Sequence, residues 1–359
     1  MMFQRVIQVY QQRGLTNNMA YTTINKSTAH FNTKLHTGTG SSQSISGIGF
    51  QPDLCWFKKR DGTTEHQLYD AVRTATKVIS SQNTDAEWTE STGLTSFDSD
   101  GYTLGGASGT NGSSNTYAVW NWKANGAGST NNDGSVTSTV SVNATAGFSI
   151  VKYNVGSSGA ITVGHGLGSA PELIITKGYS GTSNWIMSAD ALHQTWETYM
   201  LLNTNQAESD SNLWEDVAPT STVFATSSPV YGNNMENIAY CFKSIDGYSK
   251  IGSYWGNSDS AGSFIYTGFK PKFLMLKRIN GDDWWGMYDS KRNPSNTIDK
   301  RIYANANDAE GTSSNVAFLS NGFQIRTTDS AINNSSGEYL YYAVGQTIVG
   351  TNNVPATAF

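Results

Sequence analysis

The chain is poor in charge. Asp, Glu, Lys and Arg make up 14% of its 359 residues, against about 25% in an ordinary globular protein, and 23 basic against 28 acidic residues leave a net charge of −5. Neutralising phosphates takes clustered Lys and Arg. No such cluster occurs, so no nucleic-acid partner is expected. Histidine is scarce too, with five residues spread singly, and there are two cysteines. A zinc site needs several such ligands at close spacing, and that set is missing, so no metal and no cofactor is expected. Cys55 and Cys241 fall in strand-like runs of different segments, where a disulfide would require two cores to meet; they read as small buried hydrophobes. No apolar run approaches the ~18 to 20 residues of a membrane helix, and the N-terminus lacks the apolar stretch of a secretory signal, so neither membrane insertion nor signal-directed export is expected. Neither a G-x-S-x-G elbow nor a phosphate-binding loop occurs.

Turn formers and small polar residues are abundant instead. Ser, Thr and Asn together are roughly a third of the chain and 36 residues are glycine, which is the composition of short strands joined by many turns. The length exceeds that of one usual core and suits three units of about 100 residues. A repeat supports this division. GFQPDLCWFKKR from Gly49 returns as GSAPELIITKG from Gly168 and GFKPKFLMLKR from Gly268. Each copy is a glycine, a proline and then an apolar run ending in lysine, and a proline suits the start of a buried strand but not its interior.

Further landmarks keep their order. Opening strands are expected at Phe31 to Thr37, from Phe148 and from Tyr248. A glycine–aromatic turn follows at FDSDGYTLG (Phe97) and FLSNGFQIR (Phe318), with FATSSPVYG (Phe224) as a degenerate middle copy, and a terminal aromatic strand follows at NTYAVWNWKA, NIAYCFKSI and EYLYYAVG. From the prolines, Val119, Tyr240 and Tyr341 lie 67, 69 and 70 residues on. Alternation by two places Leu54, Trp56, Leu173, Ile175, Phe273 and Met275 on equivalent buried faces. The expected fold is all-β: three tandem antiparallel β-sandwiches of jelly-roll type, spanning 21–126, 127–246 and 247–346, with an N-terminal arm (1–20) of helical spacing and a C-terminal tail (347–359). Asn125 to Gly134 reads as a flexible linker, whereas Asp246 and Gly247 join the second and third units rigidly.

Candidate chemical groups give way to structural readings. Asp70, Asp190 and Asp289, with Glu87, Glu208 and Glu310, recur once per unit and could form acid–base pairs, but carboxylates that satisfy turn backbone explain a triple recurrence better. His165 stands between glycines in the slot that Ser46 and Tyr266 fill in the other copies, so the slot makes no demand for imidazole. The DSDG of Asp98 to Gly101 has oxygen donors suited to calcium, yet the other copies lack its carboxylates, and a turn glycine of positive φ accounts for it. Of ten tryptophans, Trp56, Trp120 and Trp122 fit core strands. Trp196, Trp214, Trp255, Trp284 and Trp285 lie among Gly, Asn, Asp and Glu, as ligand-stacking or subunit-contact residues would; they are the candidate binding residues. No catalytic residue is expected.

GFQPDLCWFKKR, SFDSDGYTLGG and NTYAVWNWKANG, with HGLGSAPELIITK and TGFKPKFLMLKR further on, together resemble a tandem-repeat domain of uncharacterised function found in structural and tail-associated proteins of marine bacteriophages, including those of cyanobacteria. The resemblance runs from Tyr21 to Val344. It implies a virion structural protein of the tail or fibre region, a homo-oligomer contacting other virion subunits, with a host-surface glycan as a candidate ligand. The alternative it leaves open is a head decoration or connector protein that binds virion subunits alone. Repeat 2 departs at Pro229 and at Asp190 to Leu192.

Overall fold

The computed structural model describes residues 22–157, 159–193, 196–227 and 232–347. The expected N-terminal arm, nearly all of the C-terminal tail and Pro229 lie outside the described residues. The described chain is almost entirely strand and turn, and its central ladders are antiparallel. It is an all-β, sandwich-like fold.

One strand order is built three times. An opening strand, the terminal aromatic strand, the proline-led strand and a following strand lie side by side as Phe31–Thr37, Thr116–Trp122, Leu54–Lys59 and Gln67–Asp70; as Phe148–Asn154, Glu236–Phe242, Leu173–Gly178 and Trp185–Ala189; and as Ser249–Trp255, Glu338–Gln346, Lys270–Arg278 and Gly286–Asp289. Pro52 and Pro171 precede their strands, while Pro271 is the second residue of its own, where the ladder slips between Pro271 and Phe273. Outer strands cover each of these inner sheets: Gln43–Ile45 with Gly101–Leu104 and Leu94–Asp98, Ala160–Gly164 with Val223–Ser227, and Phe264–Tyr266 with Gly322–Ile325 and Gly311–Leu319, the last set joined to its inner sheet through Thr297–Tyr303 in one eight-stranded ladder.

The proline-led strands read as unbroken apolar runs because both of their faces are buried. Cys55 and Phe57, Ile174, and Leu274 and Leu276 pack inside their own units. Leu54, Trp56, Leu173, Ile175, Phe273 and Met275, all at most 5% exposed, meet instead in a single core shared by the three units. The three inner sheets therefore face one another around a common centre, where an apolar void of about 20 Å³ is lined by Trp56, Ile175, Met275 and their neighbours. Each sandwich thus keeps a core of its own, and the shared centre is a further core that the sequence pattern does not reveal. Residues ahead of the first sheet tie it to the third unit: Ile24 enters the shared core, and Ser27 N donates to the Gln346 side chain.

Register corrects the sequence alignment in several places. Trp56, Ile175 and Met275 pair with Trp120, Tyr240 and Tyr342, so the outer two landmarks stand one residue beyond Val119 and Tyr341. Phe224 pairs with Val163 as Tyr102 does with Ile45 and Phe323 with Ile265; it matches the second aromatic of the turn motif, not the first. Gly101 and Gly322 have no positive φ. They are glycines because a Cβ would lie 1.8 Å from Ile45 O and 2.1 Å from Ile265 O. The expected linker is ordered: Ser129–Asn131 pairs with Ser138–Asn143 at the edge of the second sheet, and Asp53 accepts from Ala124 N and Gly126 N. Cys55 and Cys241 are free and buried in separate clusters.

Candidate functional site

The recurring polar groups build the seams between units. Register equates His66, Trp185 and Trp285, each two positions before the pairs Leu68–Trp56, Met187–Ile175 and Met287–Met275. Their ring nitrogens reach backbone carbonyls of the next unit in cyclic order: His66 Nε2 to Tyr303 O at 2.9 Å, Trp185 Nε1 to Ser80 O at 2.6 Å and Trp285 Nε1 to Leu201 O at 2.9 Å. The backbone repeats the cycle, with Thr64 N, Ser183 N and Asp283 N donating to Asn307 O, Thr84 O and Asn205 O, and Glu310 N, Glu87 N and Glu208 N donating to Arg60 O, Tyr179 O and Ile279 O. The lysine closing each proline-led strand belongs to the same seams. Lys58 Nζ donates to carbonyls of Lys59, Thr64 and Asn307, Lys177 Nζ to that of Ser183, and Lys277 Nζ to those of Asn205, Arg278 and Gly281. Burial pushes all three lysines down to about 8.

The carboxylates serve the same purpose. Asp70 holds Arg73 at 2.6 Å, and Asp289 holds Arg292 at 2.5 Å; both pairs are buried, and each arginine reaches on to Glu87 or Glu310. Both aspartates also cap turn amides, as the sequence suggests. Across the seams Tyr240 Oη donates to Asp70 and Trp120 Nε1 to Asp289. The second unit breaks this pattern. Ala189 occupies the slot of Asp70 and Asp289, with Leu192 packed where the arginine would be, so Asp190 is not their counterpart; it accepts from Trp196 Nε1 at 2.7 Å. A buried ion pair has been exchanged for apolar packing, an exchange that is often neutral or stabilising. Glu208, left without an arginine, pairs with His193, which also meets Glu338 at 2.6 Å; the hydrogen bond that the imidazole donates to Glu208 foremost raises its pKa.

His165 is buried and satisfied, its Nδ1 accepting from Leu167 N and its Nε2 meeting Thr220 O. Its backbone N–H bonds the turn carbonyl of Thr222 as Ile48 does Asp100 and Thr267 does Asn321; its counterparts are those residues, not Ser46 and Tyr266. In the DSDG turn Asp100 accepts from Gly47 N and Gly49 N, and Asp98 from Ser96 and Thr103. No group of three or more potential metal ligands occurs among the described residues.

The five candidate tryptophans divide. Trp196 and Trp214 are buried edge to face at 5.5 Å inside the second unit, and Trp285 is buried in a seam. As exposed binding residues these three are corrected: their polar neighbours belong to loops that pack against other parts of the protein. Trp284 is 42% exposed and tilts over Tyr303, whose ring also meets the Arg301 guanidinium, 4.1 Å from its centre. Trp255 is 55% exposed and adjoins the edge of the third outer sheet, its carbonyl accepting from Ser263 Oγ. There two residues missed in the sequence, Phe264 at 47% and Tyr266 at 58%, flank the buried Ile265. Their counterparts by register are Ser44 and Ser46 in the first unit and Thr162 and Gly164 in the second. Comparing SFIYTG with QSISG position by position would have revealed them, because the fold evidently accepts small polar residues at both places. Among the described residues, aromatic exposure on this edge is a property of the third unit alone, and it makes the Trp255–Phe264–Tyr266 edge the candidate contact surface.

No curated protein matches the chain. One family model spans residues 26–347, from the first opening strand through the last terminal strand, and the chain accordingly belongs to the family described as domain of unknown function DUF7483.

Proposed function

We propose that this protein is a structural, non-catalytic component of a bacteriophage particle, in the tail or fibre region, whose third unit contacts a glycan of the host surface. The virion setting rests on the sequence resemblance. The contact role rests on one observation: Phe264 and Tyr266 are solvent-facing aromatics where the other two units carry Ser, Thr or Gly. Large exposed apolar groups that folding does not require mark binding surfaces. The non-catalytic reading follows from the seams, since the recurring carboxylates, the buried lysines and His66 are committed to hydrogen bonds and ion pairs between units. Ser, Thr and Asn elsewhere adapt to sugar hydroxyls or to a neighbouring subunit but supply no activated nucleophile.

A second reading is favoured by the position of Phe264–Tyr266 at the end of its sheet. An edge strand with outward aromatics can take up a strand from another chain, which suits a decoration or connector protein that binds virion subunits, or a homo-oligomer. Incubating the purified protein with bacterial envelope polysaccharide and following both retention and chain length tests the proposal. Retention with unchanged length is expected. Shortened glycan overturns the non-catalytic role, and absence of retention with concentration-dependent self-association transfers the surface to the second reading.

A further inference from the structure

The outer sheet of the third unit carries a polar cleft of about 370 Å³, within the range of about 300–1,000 Å³ typical of small-ligand sites. Ser260, Asn296, Thr297, Asn315, Ala317 and Arg326 line it. It continues the aromatic edge. Phe264 pairs with Gln324, Gln324 with Ala317 and Ala317 with Thr297, and residues directly opposed across antiparallel strands share a face. The row therefore runs from the exposed ring of Phe264 into the cleft over three strand spacings, about 14 Å.

Two lining residues have no counterpart that folding demands. Arg326 N donates to Asn315 O, and in the first unit Gly105 N donates to Gly93 O at the same place in the sheet; register with Leu104 and Ile325, Leu94 and Val316 fixes the equivalence. The third unit thus carries arginine and asparagine where the first manages with two glycines. Both side chains are exposed, and among the described residues no hydrogen bond or ion pair reaches the Arg326 guanidinium. No carboxylate lines the cleft. In a chain with a net charge of −5, an unpaired cation at the head of a polar cleft is available to a ligand.

We propose that this cleft binds an acidic saccharide, with Arg326 taking its carboxylate. This rests on the glycan-contact reading above and names the class of glycan. The guanidinium offers paired donors matched to a carboxylate. Asn296, Asn315, Ser260 and Thr297 supply the mixed donors and acceptors that sugar hydroxyls need, and the Phe264 ring at the far end of the row offers a flat apolar face to a following residue of the same oligosaccharide.

The test is calorimetric titration of the full chain with tetrasaccharides of galacturonate and glucuronate, sialylated oligosaccharides and the carboxyl-reduced form of each. Arg326→Gly installs the first unit's residue, and Asn296→Trp obstructs the cleft from an exposed position should the arginine variant melt differently from the wild type. Expected are binding of at least one acidic probe, binding at least tenfold weaker for its reduced form, and a loss of at least tenfold in either variant. Equal binding of acidic and reduced probes, unaffected by Arg326→Gly, overturns the acidic specificity while leaving glycan contact in place. Failure of every probe, with the protein still retained by whole envelope polysaccharide, overturns the cleft as the site. Failure of both overturns this inference together with the reading it rests on.

Discussion

His66 stands where the other two units place tryptophan, and it does two jobs: Nδ1 accepts from Trp56 Nε1 at 2.8 Å and Nε2 meets Tyr303 O. Only the neutral ring can accept and donate in this way, and burial pushes its pKa down to about 3. The unfolded chain then binds the extra proton below about 6.5, so this contribution to stability is complete above pH 6.5 and is lost as pH falls toward 3. His193, with its raised pKa, acts in the opposite window: its contribution is complete below 6.5 and is lost as pH rises through the folded value. Between pH 6.5 and 4.5 the wild type is expected to lose about 2 to 3 kcal/mol more than His66→Trp, measured as the difference in urea-unfolding free energy. His66→Trp itself costs about 1 to 3 kcal/mol at pH 7, because it keeps the donor to Tyr303 O and leaves Trp56 Nε1 without its acceptor. Lys277 gives a second check. Replacing a buried charge by an apolar chain of similar length removes desolvation, but Lys277→Met strips the donor from three carbonyls. Destabilisation of about 2 to 4 kcal/mol is expected, and a more stable variant would show that desolvation dominates at the seam.

Among the elements, the proline-led strand carries most of what the sequence made legible. Proline at the start and an apolar run, with Leu54 and Trp56 two positions apart, located a buried strand, and its repetition at Leu173 and Ile175 and at Phe273 and Met275 showed that there were three. The pattern could not show what the strand faces. A residue such as Trp56 is equally apolar whether it closes its own sandwich or meets Ile175 and Met275 across a common centre, because burial alone sets residue type. The same limit explains the tryptophans: Trp285 lies among Gly, Asp and Asn because it ends a loop, yet its side chain is buried against the neighbouring unit while Trp284 beside it stays exposed. The misplacement of Phe224 and Asp190 had another cause. Both lie in the second unit, where Ala189 and Leu192 replace the ion pair and the turn ahead of Val223 has no glycine, so identity to the other copies fails where only register holds. Trp56→Ala or Phe273→Ala is expected to cost about 3 to 5 kcal/mol, read as one shifted unfolding transition. A variant that melts one unit ahead of the others would contradict the shared core. Gly322→Ala should also destabilise, since its Cβ meets a backbone oxygen that belongs to the neighbouring strand.

At the scale of the whole molecule, three sheets around one centre make the units interdependent. A unit produced alone would expose its inner face, including Leu54 and Trp56 or their counterparts, and is expected to self-associate or remain unfolded, visible by light scattering and hydrogen exchange. The cyclic seams also leave the outer sheets as the surfaces on which units can differ without disturbing the core, and the third unit differs by presenting aromatics. The proposed contact role of the third outer sheet therefore rests on Phe264 and Tyr266. The most direct measurement exchanges them for the first unit's residues, Phe264→Ser with Tyr266→Ser, and compares retention on envelope polysaccharide and melting temperature with the wild type. Retention is expected to fall at least tenfold while the melting temperature stays within about 2 °C, since both side chains are exposed and serine already serves at these positions in the first unit. Full retention by the double variant, or lost retention with a much lower melting temperature, would contradict the proposed role.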